Sequence, residues 1–101
     1  VDVIFNKANA AVTVPDGLKL GYVEIANNVT INAKDSKKGA AITTGDLVVN
    51  VGKKLTLGDK LNVTCVNLNV MKGATLGQGA QVSYTGANLS EGTITGTPVQ
   101  K

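Results

Sequence analysis

The chain has 101 residues, of which 43% are hydrophobic and 17% are charged, and its net charge is +3. This length suits one small domain, and the composition excludes an intrinsically disordered chain. His, Arg and Trp are all absent, so the commonest general base and the bidentate clamp for anions are both missing.

The predicted elements follow a two-residue alternation of apolar and polar positions. In chain order, strands are predicted within "VDVIF" at 1–5, within "KANAAVTV" at 7–14, and twice within "VEIANNVTI" at 23–31, where three corner residues separate them. Fourteen Val and eleven Thr favour strands, whereas twelve Gly and ten Asn favour turns. No apolar run has helical spacing, so the sequence predicts an all-β protein.

The middle of the chain repeats this pattern after an interruption. "VNVGKKLTL" at 49–57 has the same order of hydrophobes, spacers and corner residues as 23–31. The step from Val29 to Leu55 is 26 residues, and the polar stretch "KDSKKGA" at 34–40 lies inside it. We therefore predict that residues 34–40 are a corner loop inserted between strands.

The second half repeats itself at a step of nineteen residues. "NVGKKLTLGDKLNV", which begins at Asn50, returns as "NVMKGATLGQGAQV" from Asn69. The same step places Val51, Val70 and Leu89 in one column, which we predict to face inward. Each unit holds three short strands with one apolar face that only neighbouring units can bury. The sequence therefore predicts a single-stranded right-handed parallel β-helix (β-solenoid) of about five coils, the last incomplete, with ~19 residues per coil.

Three segments carry a family resemblance: "LVVNVGKKLTLGDKLNV", "VNLNVMKGATLGQGAQV" and "ANLSEGTITG". They resemble the parallel β-helices of bacterial surface proteins, of the filamentous-haemagglutinin and autotransporter-passenger type. The resemblance covers residues 43–97, and more loosely 7–97, and it implies a secreted or cell-surface protein.

An antiparallel β-sandwich is the alternative fold, because short strands with regular turn signals suit it too. The nineteen-residue repeat favours the solenoid.

Catalysis is not predicted. No two of the seven acidic residues share a column on neighbouring coils, and the Ser and Cys side chains have no evident base. We expect the protein not to be an enzyme and to bind no cofactor and no metal.

The single cysteine, Cys65, is predicted at a corner before an inward Val66. It is either a surface thiol open to modification or, as we favour, a small residue tolerated there.

Asparagines form the candidate binding surface. Asn50, Asn69 and Asn88 recur at the nineteen-residue step between inward hydrophobes, so they are predicted to point outward, with Asn67 on the same face. Amides donate and accept hydrogen bonds, so such a face suits a sugar or a protein partner. The alternative, which we favour, is a stacked polar ladder whose amides satisfy one another.

These features lead to a functional expectation. We expect a non-catalytic structural or adhesive module of a secreted or cell-surface bacterial protein, with a small carbohydrate-binding domain as the alternative. The expected partners are a neighbouring domain or a second copy at the N-terminal end, where "VDVIF" is a strand without a cap, and a glycan or host-surface protein. Nucleic acid is not expected, and no segment is long and apolar enough for a membrane span. A chain opening directly on a strand is expected of an excised domain or a mature protein.

Overall fold

The computed structural model describes residues 1–101, which wind into an all-β parallel β-solenoid of about four turns with ~20 residues per turn. Alternating branched residues form thirteen short strands, because each strand can bury one face and expose the other. The strands are β1 (Val3–Phe5), β2 (Ala10–Val14), β3 (Val23–Ile25), β4 (Val29–Ala33), β5 (Ala40–Thr43), β6 (Leu47–Val49), β7 (Lys54–Leu57), β8 (Leu61–Cys65), β9 (Leu68–Val70), β10 (Thr75–Leu76), β11 (Val82–Tyr84), β12 (Thr93–Ile94) and β13 (Val99–Gln100).

Successive strands join three parallel sheets in turn, so the chain winds around a shared core with one wall per sheet. Sheet A has the order β1-β3-β6-β9, sheet B the order β2-β4-β7-β10-β12, and sheet C the order β5-β8-β11-β13. In the first turn, an isolated bridge between Lys19 and Thr43 extends sheet C beyond β5. The predicted solenoid is confirmed, and the sandwich alternative is wrong because every ladder is parallel.

The core consists of inward side chains that stack from turn to turn. Val23, Leu47 and Leu68 lie in one register column of sheet A, and twenty hydrophobic residues form one continuous buried cluster. Each fully buried Val, Leu or Ile contributes about 1.5–3 kcal/mol relative to exposure. Burial of stacked aliphatic side chains therefore stabilises the solenoid, and the aromatic residues Phe5 and Tyr84 pack only partly buried against this cluster.

The corners differ in length, and the longest one that no isolated bridge divides lies between β4 and β5. Residues 34–38 form bends and turns there. Ala40, the last residue of the predicted insertion, is the first residue of β5 and is buried. Gly39 has φ +79°, and a Cβ atom there would approach the carbonyl oxygen of Lys60 to 2.5 Å. A side chain at position 39 would therefore strain both the backbone and this contact.

In the repeated half of the chain, the nineteen-residue step describes only the pairing of β8 with β11. In sheet C, Val63 does oppose Val82, but in sheet A Val70 opposes Val49, and in sheet B Leu76 opposes Leu55, at a step of 21 residues. A slip of two residues keeps every side chain on its own face, so the alternation alone cannot distinguish the two steps. The turns are consequently fewer and longer than the five coils predicted.

The predicted inward column of Val51, Val70 and Leu89 is wrong in two of its three members. Val70 is fully buried, but Val51 is 64% exposed and Leu89 is 58% exposed. Val51 lies beyond the end of β6, in the turn to β7. Because Asn88 bridges Leu68, Leu89 is displaced by one position relative to the prediction, and a shift of one residue turns a side chain to the opposite face.

Candidate functional site

The outer face of sheet A carries three of the four predicted asparagines. Asn67 and Asn69 flank the inward Leu68, and Asn50 follows β6 in the turn before. Asn69 opposes Val48 rather than Asn50, so the predicted column of amides is not formed. Asn88 bridges Leu68 and therefore lies over the end of the core, away from the other three.

The outward positions of this face form three columns that run across the turns. The first column precedes the strands, the second is their central outward position, and the third follows them. From the strand register, the columns are Asp2, Tyr22, Asp46, Asn67 and Ala87; Ile4, Glu24, Val48, Asn69 and Leu89; and Ala26, Asn50, Met71 and Glu91. Carboxylates, amides and apolar side chains therefore alternate on one wall.

One hydrogen-bond network on this face is centred on Glu24. The Tyr22 hydroxyl donates to Glu24 Oε1 at 2.8 Å, and the Asn50 side-chain amide donates to Glu24 Oε2 at 3.0 Å. Both bonds stabilise the charged form of the Glu24 carboxyl and so hold its pKa below the usual value. The bond from Asn50 has the larger effect and the bond from Tyr22 the smaller. The bond to Glu24 also raises the pKa of Tyr22. Glu24 is therefore fixed as a carboxylate between an aromatic ring and an amide.

A second network fixes Asn67. Its Nδ2 donates to Asp46 Oδ1 at 3.0 Å, while its Oδ1 accepts the backbone N–H of Ala87 at 2.9 Å. Asp2 acts similarly in the first turn, where its Oδ1 accepts the N–H of Tyr22, which lies one turn later, at 2.9 Å. These bonds tie successive turns together. The side-chain amides of Asn50 and Asn67 are engaged in the hydrogen bonds of the two networks, whereas the Asn69 side chain makes none of these bonds.

Apolar side chains complete the face. Ile4 is 60% exposed at one end and Leu89 is exposed at the other, while Val48 between them is only 7% exposed although it points outward. Val48 lies in register between Glu24 and Asn69, so its neighbours on this crowded wall cover it. The face thus offers apolar contact beside fixed polar groups.

The sequence pattern missed Tyr22, Glu24 and Asp46 as members of this surface. Alternation alone places Glu24 outward between Val23 and Ile25, which was a usable signal. The hydrogen bond between Glu24 and Asn50 depends on the pairing of β3 with β6, which lies 24 residues later along the chain. That step is lengthened by the corner at 34–39, and the repeat does not reveal it.

Cys65 is neither a surface thiol nor a corner residue, so both interpretations of it, and the inward position predicted for Val66, are wrong. It is buried in β8, where its Sγ approaches the carbonyl oxygen of Ser83 at 3.4 Å, whereas Val66 points to the surface. Burial raises the pKa of the Cys65 thiol to about 11. A buried, protonated thiol is a small hydrophobe, so Cys65 belongs to the core.

The arrangement defines a parallel β-solenoid protein with one amide- and carboxylate-rich wall. No three Cys, Asp or Glu side chains converge as a metal-binding group, and no helix in the chain is long and apolar enough to cross a membrane. Comparison with protein-family models gave no match, and neither did comparisons with curated proteins and solved structures. The likeness to surface-protein β-helices in particular therefore stays a hypothesis.

Proposed function

We propose that the chain is a non-catalytic structural and adhesive module of a secreted or cell-surface bacterial protein, of the haemagglutinin and autotransporter-passenger type. The observation that carries the proposal is the outer face of sheet A, where exposed Ile4 and Leu89 lie on the same wall as the hydrogen-bonded Glu24 and Asn67. Apolar contacts supply affinity in such a surface, and fixed polar groups supply orientation.

The rigidity of the wall supports an adhesive role. Each strand of sheet A is held by backbone ladders to its neighbours, and side chains such as Asn67 bridge one turn to the next. A partner that binds this face does not have to order it, so little binding free energy is lost to ordering. The partner class that we propose is a host-surface glycoprotein.

Adhesion is tested by coupling the full chain to beads and measuring their retention on a panel of purified extracellular glycoproteins. Leu89→Glu should weaken retention about tenfold, because it places a charge among the apolar contacts of the face. Val99→Glu is the matched control, since Val99 is 51% exposed on sheet C. Equal retention of wild type and Leu89→Glu would contradict the proposal.

Carbohydrate binding is the second candidate function. The Tyr22 ring next to the Glu24 carboxylate, with the free Asn69 amide on the same wall, provides the kinds of group that contact a sugar ring and its hydroxyls. A glycan array with the isolated chain tests it. Defined sugar binding that is lost in Asn69→Ala but kept in Asn32→Ala, on sheet B, supports this candidate. An array without signal contradicts it.

A neighbouring domain or a second copy is the further partner that we propose, at the first turn. β1 and β2 each pair on one side only, and Phe5, Val12, Leu18 and Leu20 are only partly buried against the core. Unpaired strand edges over a partly open core favour continuation by another strand. The proposal supplies that strand from an adjacent domain or from another molecule.

A further inference from the structure

The corner between sheets B and C forms a groove that is separate from sheet A. Residues 34–39 make one side of it, Pro15 and Asp16 the second, and Lys60 and Asn62 the third. Its volume is about 750 Å³, and only two of its twelve lining residues are hydrophobic. Ligand sites commonly measure about 300–1,000 Å³, so the groove has the size of a binding site but an unusually polar lining.

Positive charge dominates this groove. Four lysines are among its lining residues, Lys34, Lys37, Lys38 and Lys60, against two aspartates, Asp16 and Asp35. A groove with net positive charge attracts anionic groups and raises their local concentration.

Both carboxylates of the groove are engaged with the backbone. Asp16 Oδ1 accepts the N–H of Ala41 at 2.8 Å. Asp35 Oδ1 accepts the N–H groups of Lys37 and Lys38 at 3.0 and 3.2 Å. The two aspartates therefore shape the corner through the backbone, and neither carboxylate is paired with a lysine of the groove.

Hydrogen bonds hold the backbone of the protruding corner, residues 34–39, in place. The Gly39 N–H donates to the Asp35 carbonyl oxygen at 2.8 Å, and the Ala40 N–H donates to the Lys60 carbonyl oxygen at 3.0 Å. Lys60 Nζ also donates to the Lys37 carbonyl oxygen at 3.0 Å, which joins the third turn to the corner of the second. The backbone carrying the lysines is thus ordered before any ligand arrives.

We propose that this groove binds an acidic polysaccharide through its sulfate or carboxylate groups. Lysine ammonium groups bind such anions as point charges and do not need the planar geometry of guanidinium. No aromatic side chain lines the groove to stack a nucleobase, which disfavours single-stranded nucleic acid. The site lies at a different corner from the sheet A face, so it goes beyond the adhesive function and does not depend on it.

The test is titration of the full chain with a heparin hexasaccharide and with an oligogalacturonate of equal length, at an ionic strength of ~0.05 M. A neutral dextran oligomer and an oligothymidylate serve as comparison ligands. We expect saturable binding of at least one acidic sugar, none of dextran, and loss of binding at ~0.5 M salt, where charges are screened beyond a few ångströms.

A pair of double variants locates the site. Lys34→Gln with Lys38→Gln should raise the Kd about tenfold, whereas Lys53→Gln with Lys72→Gln, which remove the same charge at the corner between sheets A and B, should change it less than about twofold. Circular dichroism of both variants confirms that the fold is kept. Equal losses in the two variants, no binding by wild type, or oligothymidylate binding as tightly as the acidic sugars would overturn the proposal.

Discussion

The side-chain amide of Gln81 donates a hydrogen bond of 2.7 Å to the carbonyl oxygen of Leu61 in the preceding turn, and a second bond of 2.8 Å to that of Gly58. The backbone N–H of Gln81 cannot serve there, because it donates to the Gln78 carbonyl oxygen within a 3-10 turn at Gly79–Gln81. A side chain thus takes over the role of a backbone ladder at the point where two successive turns differ in length.

Gln81 is therefore predicted to matter for stability. Gln81→Leu keeps much of the bulk but removes both donors, which takes from the Leu61 carbonyl the Gln81 bond and leaves the Gly58 carbonyl only the 3.4 Å bond from the Leu61 N–H. The free energy of unfolding should fall by about 1–3 kcal/mol in urea titration. Gln100→Leu is the control, because its amide makes a single exposed bond of 3.4 Å, and it should cost less than about 0.5 kcal/mol. Similar losses from both variants would show that the Gln81 bonds contribute nothing special.

The corrected inward register gives a second prediction, from two valines that the sequence repeat treats as equivalent. Val70→Asp buries a charge in the core and should cost several kcal/mol, out of about 5–15 kcal/mol that hold a domain of this kind. Val51→Asp, at an exposed turn position, should leave the urea midpoint nearly unchanged. If Val51→Asp destabilised the chain as much as Val70→Asp, the register of sheet A described above would be wrong.

The Cys65 thiol gives a third prediction, on reactivity and pH. Its pKa of about 11 in the folded chain lies above its ordinary value of 9.0, so the folded state holds the proton more tightly. The associated stability is fully present below pH 9.0 and declines as the pH rises toward about 11. A disulfide reagent at about pH 8 should label Cys65 only on unfolding, at the unfolding rate.

Cys65→Ala isolates this contribution, because lysines also titrate at alkaline pH. The variant should lose part of the alkaline fall in urea stability that wild type shows between pH 9 and 11. Rapid labelling of the folded wild type would mean that the thiol is accessible.

A fourth prediction concerns the free edge of β1. Ile4 points outward on this edge strand, whereas Val3 opposes the inward Val23 and contributes to the core end. The isolated 101-residue chain should self-associate as its concentration rises, and Ile4→Lys should suppress this, because a charge on an edge strand disfavours pairing. Light scattering over a concentration series measures it. Monomeric wild type at high concentration, with rapid amide exchange in β1, would contradict the prediction.

Two parts of the fold could be predicted from the sequence. The alternation within segments such as Leu55–Thr56–Leu57 sets which side chains face inward, and the recurrence of glycine-rich corners sets the winding of a solenoid. These signals are local, since a period of two is a property of any strand with one buried face. The outward orientation of Asn50, Asn67 and Asn69 follows from the same rule.

What joins these residues into a site was decided by tertiary structure. Shifting a strand by two residues preserves its buried face at almost no cost to the pattern, so composition and periodicity leave the register between turns degenerate. The length of each corner removes that degeneracy. The corner closed by Gln81 changes the step from 21 residues at Leu76 to 19 at Val82 and so puts Val82 over Val63. The long corner at 34–39 puts Asn50 next to Glu24. The sequence determines the alternation and the winding because both are set by neighbouring residues. The network around Glu24 and the lysine groove exist only after distant turns have been stacked.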